Sequence, residues 1–227
     1  MMDDLDISNL DASSQIMIAE HQRLAELYLY NSEMGEKRTS LYVSIVSLGA
    51  AGLIGLAQFV DAPLLVWPAN VVLTGMLVLG ALTFQRLIER RIRAVENLRA
   101  LNRIHRYFVD KDAELANYFY WPPCDDVPAF HGKGGAFAGL RDVIAFINSL
   151  FAGFLSGEMV AALCPGLHTL APVSVGFIIG IALWFLHQYY ERRTLDRANS
   201  YATLKNIKFP REQFERNRIP APDSKEP

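Results

Sequence analysis

The chain has 227 residues, of which 51% are hydrophobic and 20% charged, with a mean hydropathy of +0.14. Its apolar residues are bunched into long charge-free runs, which excludes a disordered chain and argues against an ordinary soluble enzyme. A net charge of -2 gives no reason to expect nucleic acid as a direct partner, and two cysteines, Cys124 and Cys164, are too few for a disulfide framework or a zinc cluster.

The first 38 residues carry eight acids against three bases and no apolar core, so no cleavable signal peptide is expected there. From Ser13 or Ser14 to about Arg38, Ile16, Leu24, Leu27, Tyr28 and Met34 recur at helical spacing behind a serine cap. This amphipathic helix is expected to run into the first span. A helix needs roughly 20 apolar residues to cross about 30 Å of hydrocarbon without leaving backbone groups unpaired. Four stretches qualify: Leu41 to Val60, Leu64 to Phe84, Val143 to Leu163 and Leu167 to Leu186. The connections at Asp61 to Pro63 and Cys164 to Gly166 are so short that each pair reads as a hairpin, and Pro172 suits a helix start in the last span.

After Phe84 the second span is expected to continue as a cytoplasmic helix, since Ile88, Ile92, Val95, Leu98, Leu101, Ile104, Phe108 and Leu115 keep an apolar stripe. At about 1.5 Å per residue, some 30 residues reach roughly 45 Å. The stripe calls for burial against a helix of the same chain or, coiled-coil fashion, against another subunit. Trp121, Pro122, Pro123, Pro128, Gly132, Gly134 and Gly135 mark a loop returning to the membrane, and a last helix is expected from His187 to about Phe209. The expected all-α, polytopic chain therefore divides into an N-terminal amphipathic helix (1–38), a first hairpin with its cytoplasmic helix (39–118), a Pro/Gly-rich loop (119–139), a second hairpin with its helix (140–209) and a disordered tail (210–227).

Basic residues are one-sided. Three precede the first span, ten lie between Arg86 and Arg141, nine follow His187, and neither hairpin turn has any. Positive residues flanking spans stay cytoplasmic, so both termini and the central loop are expected in the cytoplasm of a bacterial inner-membrane protein.

Against itself at an offset of 102 residues, the chain is identical at 15 of 56 positions from 45 to 100. The polar matches weigh most: Glu89, Arg90 and Arg91 fall on Glu191, Arg192 and Arg193, just beyond the second span of each hairpin. Two like-oriented units imply parallel repeats about an axis along the membrane normal.

Small residues recur every fourth position on the third span, at Ala145, Ser149, Gly153, Gly157 and Ala161, with echoes at Ser47, Ala51 and Gly55 and at Gly176 and Gly180. Such faces let backbones approach closely in lipid, within one chain or between copies. Glu158 is the one acid well inside a span, with Asn148 and Ser156 on the same helix. Its carboxylate is expected to line a water-filled passage or relay or, alternatively, to reach the headgroups or to be protonated in the bundle. Trp184, His187, Tyr189 and Tyr190 read as interface anchors.

Enzymatic signals are weak. Gly132, Lys133, Gly134 and Gly135 lack the first glycine and the Ser or Thr of a phosphate loop. Arg99 and His105 have the arginine-to-histidine spacing that resembles the RNA-cleaving motif of HEPN domains, but Ala100 stands where that motif has a polar residue; an ordinary amphipathic surface is the expectation. His21 and His131 have no ligand partners at metal spacing. No catalytic, cofactor or metal residues are nominated.

Helix, span, tight turn, span and long helix over about residues 15 to 115, with Glu36, Lys37 and Arg38 leading in and Glu89, Arg90 and Arg91 below, resembles the two-span SLATT modules of bacterial conflict and phage-defence systems, here doubled. The resemblance implies an oligomeric, pore-forming or membrane-disrupting effector triggered by a cytoplasmic sensor protein or nucleotide signal. No family functional residue carries over. The alternative is a non-conducting anchor or scaffold for a soluble cytoplasmic partner.

Overall fold

The computed structural model describes residues 11–119, 122–131 and 139–212. Trp121, the glycines at 132, 134 and 135, and the tail beyond 212 lie outside them. Four α-helices account for most of the described chain: α1 (Ala12–Leu56), α2 (Ala62–Lys111), α3 (Leu140–Leu163) and α4 (Leu170–Asn206), with a short 3-10 turn at Ala113–Asn117. There is no strand among the described residues, and all four helices are long and apolar enough to cross a membrane.

Local chemistry explains the boundaries. Asp11, and not a serine, caps α1: its carboxylate accepts the backbone N–H of Ser14 at 3.1 Å, while the Ser14 hydroxyl accepts from Lys111. A carboxylate in this place satisfies an orphan donor of the first turn, and hydrogen bonding to the Ser14 side chain first, then to Lys111, with the backbone bond a smaller cause, draws its pKa down to about 2. The first span stops at Leu56, short of the expected Val60, because the chain tightens into three-residue bonds from Gln58 N–H to Gly55 O and Phe59 N–H to Leu56 O. Pro172 is the third residue of α4, where its missing N–H costs nothing. Inside α2 the ring of Pro68 removes one helix bond, within a segment otherwise free to satisfy its own backbone.

The contacts fall into two compact units. One is drawn from within Met1–Ser32, Ile92–Phe130 and Arg197–Pro227; the other from Glu33–Arg91 and His131–Asp196. All four expected spans belong to the second, called here the span unit. In their most apolar stretches only 11%, 11%, 33% and 6% of the residues are buried within the chain. Apolar side chains such as Leu48, Trp67, Val173 and Phe177 point outward, an arrangement suited to a hydrocarbon solvent and not to water. Hydroxyls on the span helices bond back to their own backbone, Ser44 to Ser40 O, Thr83 to Leu79 O, Ser149 to Ala145 O and Ser156 to Ala152 O.

In the other unit, Leu24, Leu101 and Ile104 form a buried cluster extended by Met17, Leu98 and Phe108. The apolar stripe of α2 thus meets the amphipathic start of α1 in the same chain.

Candidate functional site

In the span unit α3 and α4 approach backbone to backbone. A Cβ built on Gly153 would lie 2.6 Å from Gly176 O, and one on Gly176 would lie 2.5 Å from Gly153 O. Gly157 faces Pro172 O at 3.1 Å and Gly180 faces Ser149 O at 3.0 Å in the same construction. Small residues on both helices therefore bring backbone against backbone, which is how helices gain contact energy where lipid offers no hydrophobic reason to associate. Ala145, fully buried, continues this face toward the start of α3. On α1 the expected echo behaves differently: Ser47 and Ala51 are exposed, and a Cβ on Gly55 would meet nothing within 4 Å.

Asn148 is the buried polar centre of the span unit. It has no exposed surface, and its Oδ1 accepts the hydroxyl of Tyr42 at 2.9 Å. Gly80 of α2 makes room for this pair, since any Cβ there would overlap both Asn148 and the Tyr42 hydroxyl. Three helices meet at one hydrogen bond. The Asn148 Nδ2 group has no partner among the described residues.

Neither Ser156 nor Glu158 shares this centre. At 3.6 residues per turn they stand about 80° to either side of Asn148 around α3. Ser156 is occupied with Ala152 O. Glu158 is half-buried on a groove of about 700 Å³ along the α3–α4 seam, lined among others by Phe154, Thr169, Val173 and Phe177. Its carboxylate makes no hydrogen bond or ion pair with the described residues.

No family model, no curated protein and no solved structure matches this chain. Function has to be read from the residues alone.

The two membrane-edge triplets are unlike in their surroundings. Glu191 pairs with Arg141 across the α3–α4 hairpin, and Gln188 beside it donates to Asp142 at 2.8 Å. Burial pushes the Glu191 carboxyl above the ordinary glutamate range, against the pull of Arg141. Glu89 is exposed and accepts from Gln85 of its own helix, at 3.3 Å. Arg90 and Arg91 both engage neighbours, Arg193 reaches the Tyr189 hydroxyl at 3.2 Å, and Arg192 is exposed. Phe84 meets His187 edge-on at 4.8 Å, and Phe146 meets Trp184 likewise at 6.1 Å, so two of the expected anchors have intramolecular ring partners.

The other unit holds a polar clamp that sequence reasoning missed. Arg99, expected on a surface, is 4% exposed. Its guanidinium donates to Pro128 O, Asp126 O and the Asn199 side chain, and lies 4.4 Å from the Phe130 ring centroid. Asn102 donates to Cys124 O and Val127 O. Asp125, with no exposed side-chain surface, accepts from Arg103 and from the backbone N–H groups of Lys208 and Phe209, each at 2.9 Å. Together these bonds hold the loop against α2 and against the chain that follows α4. His105 sits elsewhere, with its Nε2 3.1 Å from that of His21 and its ring stacked on Phe119. Arg99 and His105 thus engage different neighbours. The available signal was Asp125 and Asp126 in a proline-rich loop, with Arg99, Asn102 and Arg103 along one face of α2.

Proposed function

We propose that the chain self-associates in a bacterial inner membrane into a gated pore or membrane-disrupting effector, with its termini in the cytoplasm and its trigger a cytoplasmic sensor protein or nucleotide signal. The observation that carries this reading is Glu158, a half-buried carboxylate within a span that has no partner among the described residues. An ionisable group at such depth requires water or a partner from another chain, and a water-lined passage between copies supplies both. The unpartnered amide of Asn148 adds a second polar demand in the same unit. Defence against phage is what the resemblance to SLATT modules contributes, and the one-sided basic residues support the orientation.

Ion flux from liposomes carrying the purified chain is the test. Wild type is expected to conduct once triggered and Glu158→Gln to change the flux or its pH dependence; a chain silent under every trigger removes the reading. Cysteine labelling at positions 61 and 192 is expected to reach opposite compartments.

A second reading, a non-conducting scaffold for a soluble partner, is favoured by Ile16, Leu29 and Tyr30, which are 66%, 60% and 58% exposed on the part of α1 outside the span unit. Recovery of a stoichiometric partner with no change in membrane potential would select it.

A further inference from the structure

The first hairpin carries an arginine pair that nothing among the described residues neutralises. Arg38 on α1 and Arg86 on α2 flank the mouth of a cavity of about 290 Å³ that is otherwise lined by Leu41, Tyr42, Ile45, Leu79, Leu82 and Thr83. Neither arginine makes a hydrogen bond or an ion pair with the described residues. The hydroxyls beside them are already committed, Tyr42 to Asn148 and Thr83 to Leu79 O, so the guanidinium groups are the free polar features of the mouth. No acidic side chain lines it.

The cavity continues inward. Ile45 and Leu79 also line a second, wholly apolar one of about 360 Å³, with Leu48, Gly49, Val72, Gly75 and Met76. The seam from Arg86 to Val72 is 14 residues of α2, or about 21 Å, and from Arg38 to Leu48 it is 10 residues of α1, or about 15 Å. That is the depth of one leaflet of a hydrocarbon core about 30 Å thick. Both arginines lie just outside the expected spans, at the level where lipid phosphates sit. The equivalent positions in the second hairpin, 102 residues on, are Leu140 and Gln188. There the edge is closed by the Arg141–Glu191 and Gln188–Asp142 pairs, so no second such site exists in the described residues.

We propose that the α1–α2 seam binds one anionic phospholipid, with its phosphate on Arg38 and Arg86 and an acyl chain along Ile45, Leu79 and Gly75. A planar, always charged fork on each helix suits a phosphate oxyanion, and the apolar seam suits a chain that water would reject. The inference depends on the four spans and not on whether the chain conducts.

The full chain, delipidated in detergent and reconstituted in nanodiscs, is titrated with phosphatidylglycerol and with phosphatidylcholine of the same acyl chains, and bound lipid is read by native mass spectrometry. Each basic side chain near a headgroup contributes about fivefold, so wild type is expected to retain the anionic lipid roughly 25-fold better. Arg38→Gln with Arg86→Gln is expected to erase the preference, and the paired lysine variant to keep most of it. A Cβ at Gly75 meets nothing within 4 Å, so Gly75→Leu can enter the seam without disturbing the helices and is expected to lower retention of both lipids. Equal retention of the two lipids by wild type overturns the proposal, as does a preference that survives the double glutamine variant. Displacement by soluble glycerol phosphate would mean a headgroup site without the seam, and a crosslink through Gly75 to a second copy would mean a protein occupant. Either result also overturns it.

Discussion

The two compact units solve the same problem with opposite materials. The span unit gains a backbone contact by removing side chains: Gly153, Gly157, Gly176 and Gly180 let α3 and α4 touch through their backbones. The other unit uses its most polar side chains, with Arg99, Asn102 and Asp125 each nearly inaccessible to solvent and each holding two or more partners. The solvent accounts for the difference. In water the burial of Leu24, Leu101 and Ile104 already drives association, leaving hydrogen bonds free to fix which loop sits where. In hydrocarbon, apolar contact with lipid is as good as apolar contact with protein, so only proximity discriminates.

The largest expected effect of breaking this comparison is in the clamp. Asp125→Ala removes one partner of Arg103 and the acceptor of the backbone donors of Lys208 and Phe209. Each buried donor left unsatisfied costs about 1–3 kcal/mol, and protease cutting near residues 122–131 is expected to appear at temperatures where wild type is intact. Asp125→Asn, which keeps one acceptor, should recover part of the loss.

Next comes the glycine seam. Any side chain at Gly176 must displace the carbonyl of Gly153, and overpacking of this kind costs about 1–3 kcal/mol. Gly176→Ala and Gly153→Ala are expected to lower the detergent unfolding temperature, whereas Gly52→Ala and Gly55→Ala, where a Cβ meets nothing within 4 Å, should leave it unchanged. Equal losses at all four positions would mean that the α1 glycines are also packed, against another copy.

The sequence made the spans legible because about 20 apolar residues without charge have few other uses, and the repeated small residues on α3 and α4 marked faces suited to close approach. It left open which faces meet. Ser47, Ala51 and Gly55 show the same four-residue spacing as the α3 face, yet among the described residues Ser47 and Ala51 are exposed and Gly55 faces open space, since spacing describes one helix and contact requires two. The centre at Asn148 was legible as a polar residue in a span, but Tyr42 lies 106 positions away and Gly80 on a third helix. The clamp was least legible: Arg99 reads as surface because charged residues on an amphipathic helix usually are, and its burial is made tolerable by the loop's carbonyls together with Asn199 and the Phe130 ring, all distant in sequence.

A moderate effect is expected where the span unit does use a side-chain bond. Tyr42→Phe leaves both polar ends of Asn148 without a partner. Hydrogen bonds between membrane helices are worth about 0.6 kcal/mol and at most about 1.7, so unfolding in detergent should shift by an amount of that order. Combined with Asn148→Leu, a double-mutant cycle isolates the bond; a coupling as large as the Asp125→Ala loss would erase the contrast between the units.

The smallest effect, and the one that reads the water-facing unit alone, comes from acid. Burial, with the neighbouring His21, holds His105 below its ordinary value near 6.5, so the folded unit favours the neutral ring and the unfolded chain takes up a proton first. The stability this contributes is complete above about pH 6.5 and is lost as pH falls through the lower folded value. Protection factors of α1 amides around His21, corrected for the intrinsic pH dependence of exchange, should therefore fall between pH 7.5 and pH 5, while those of amides at the α3–α4 seam stay constant. His21→Gln removes the charge of the neighbour but leaves the burial, so the slope should shrink without vanishing. His105→Phe, with no proton to take up and a ring still able to stack on Phe119, should flatten it. A slope of opposite sign in the wild-type chain would mean that the histidine pair holds the helices together when charged, and the account of a water-facing unit whose polar groups are fixed by burial would fail at that contact.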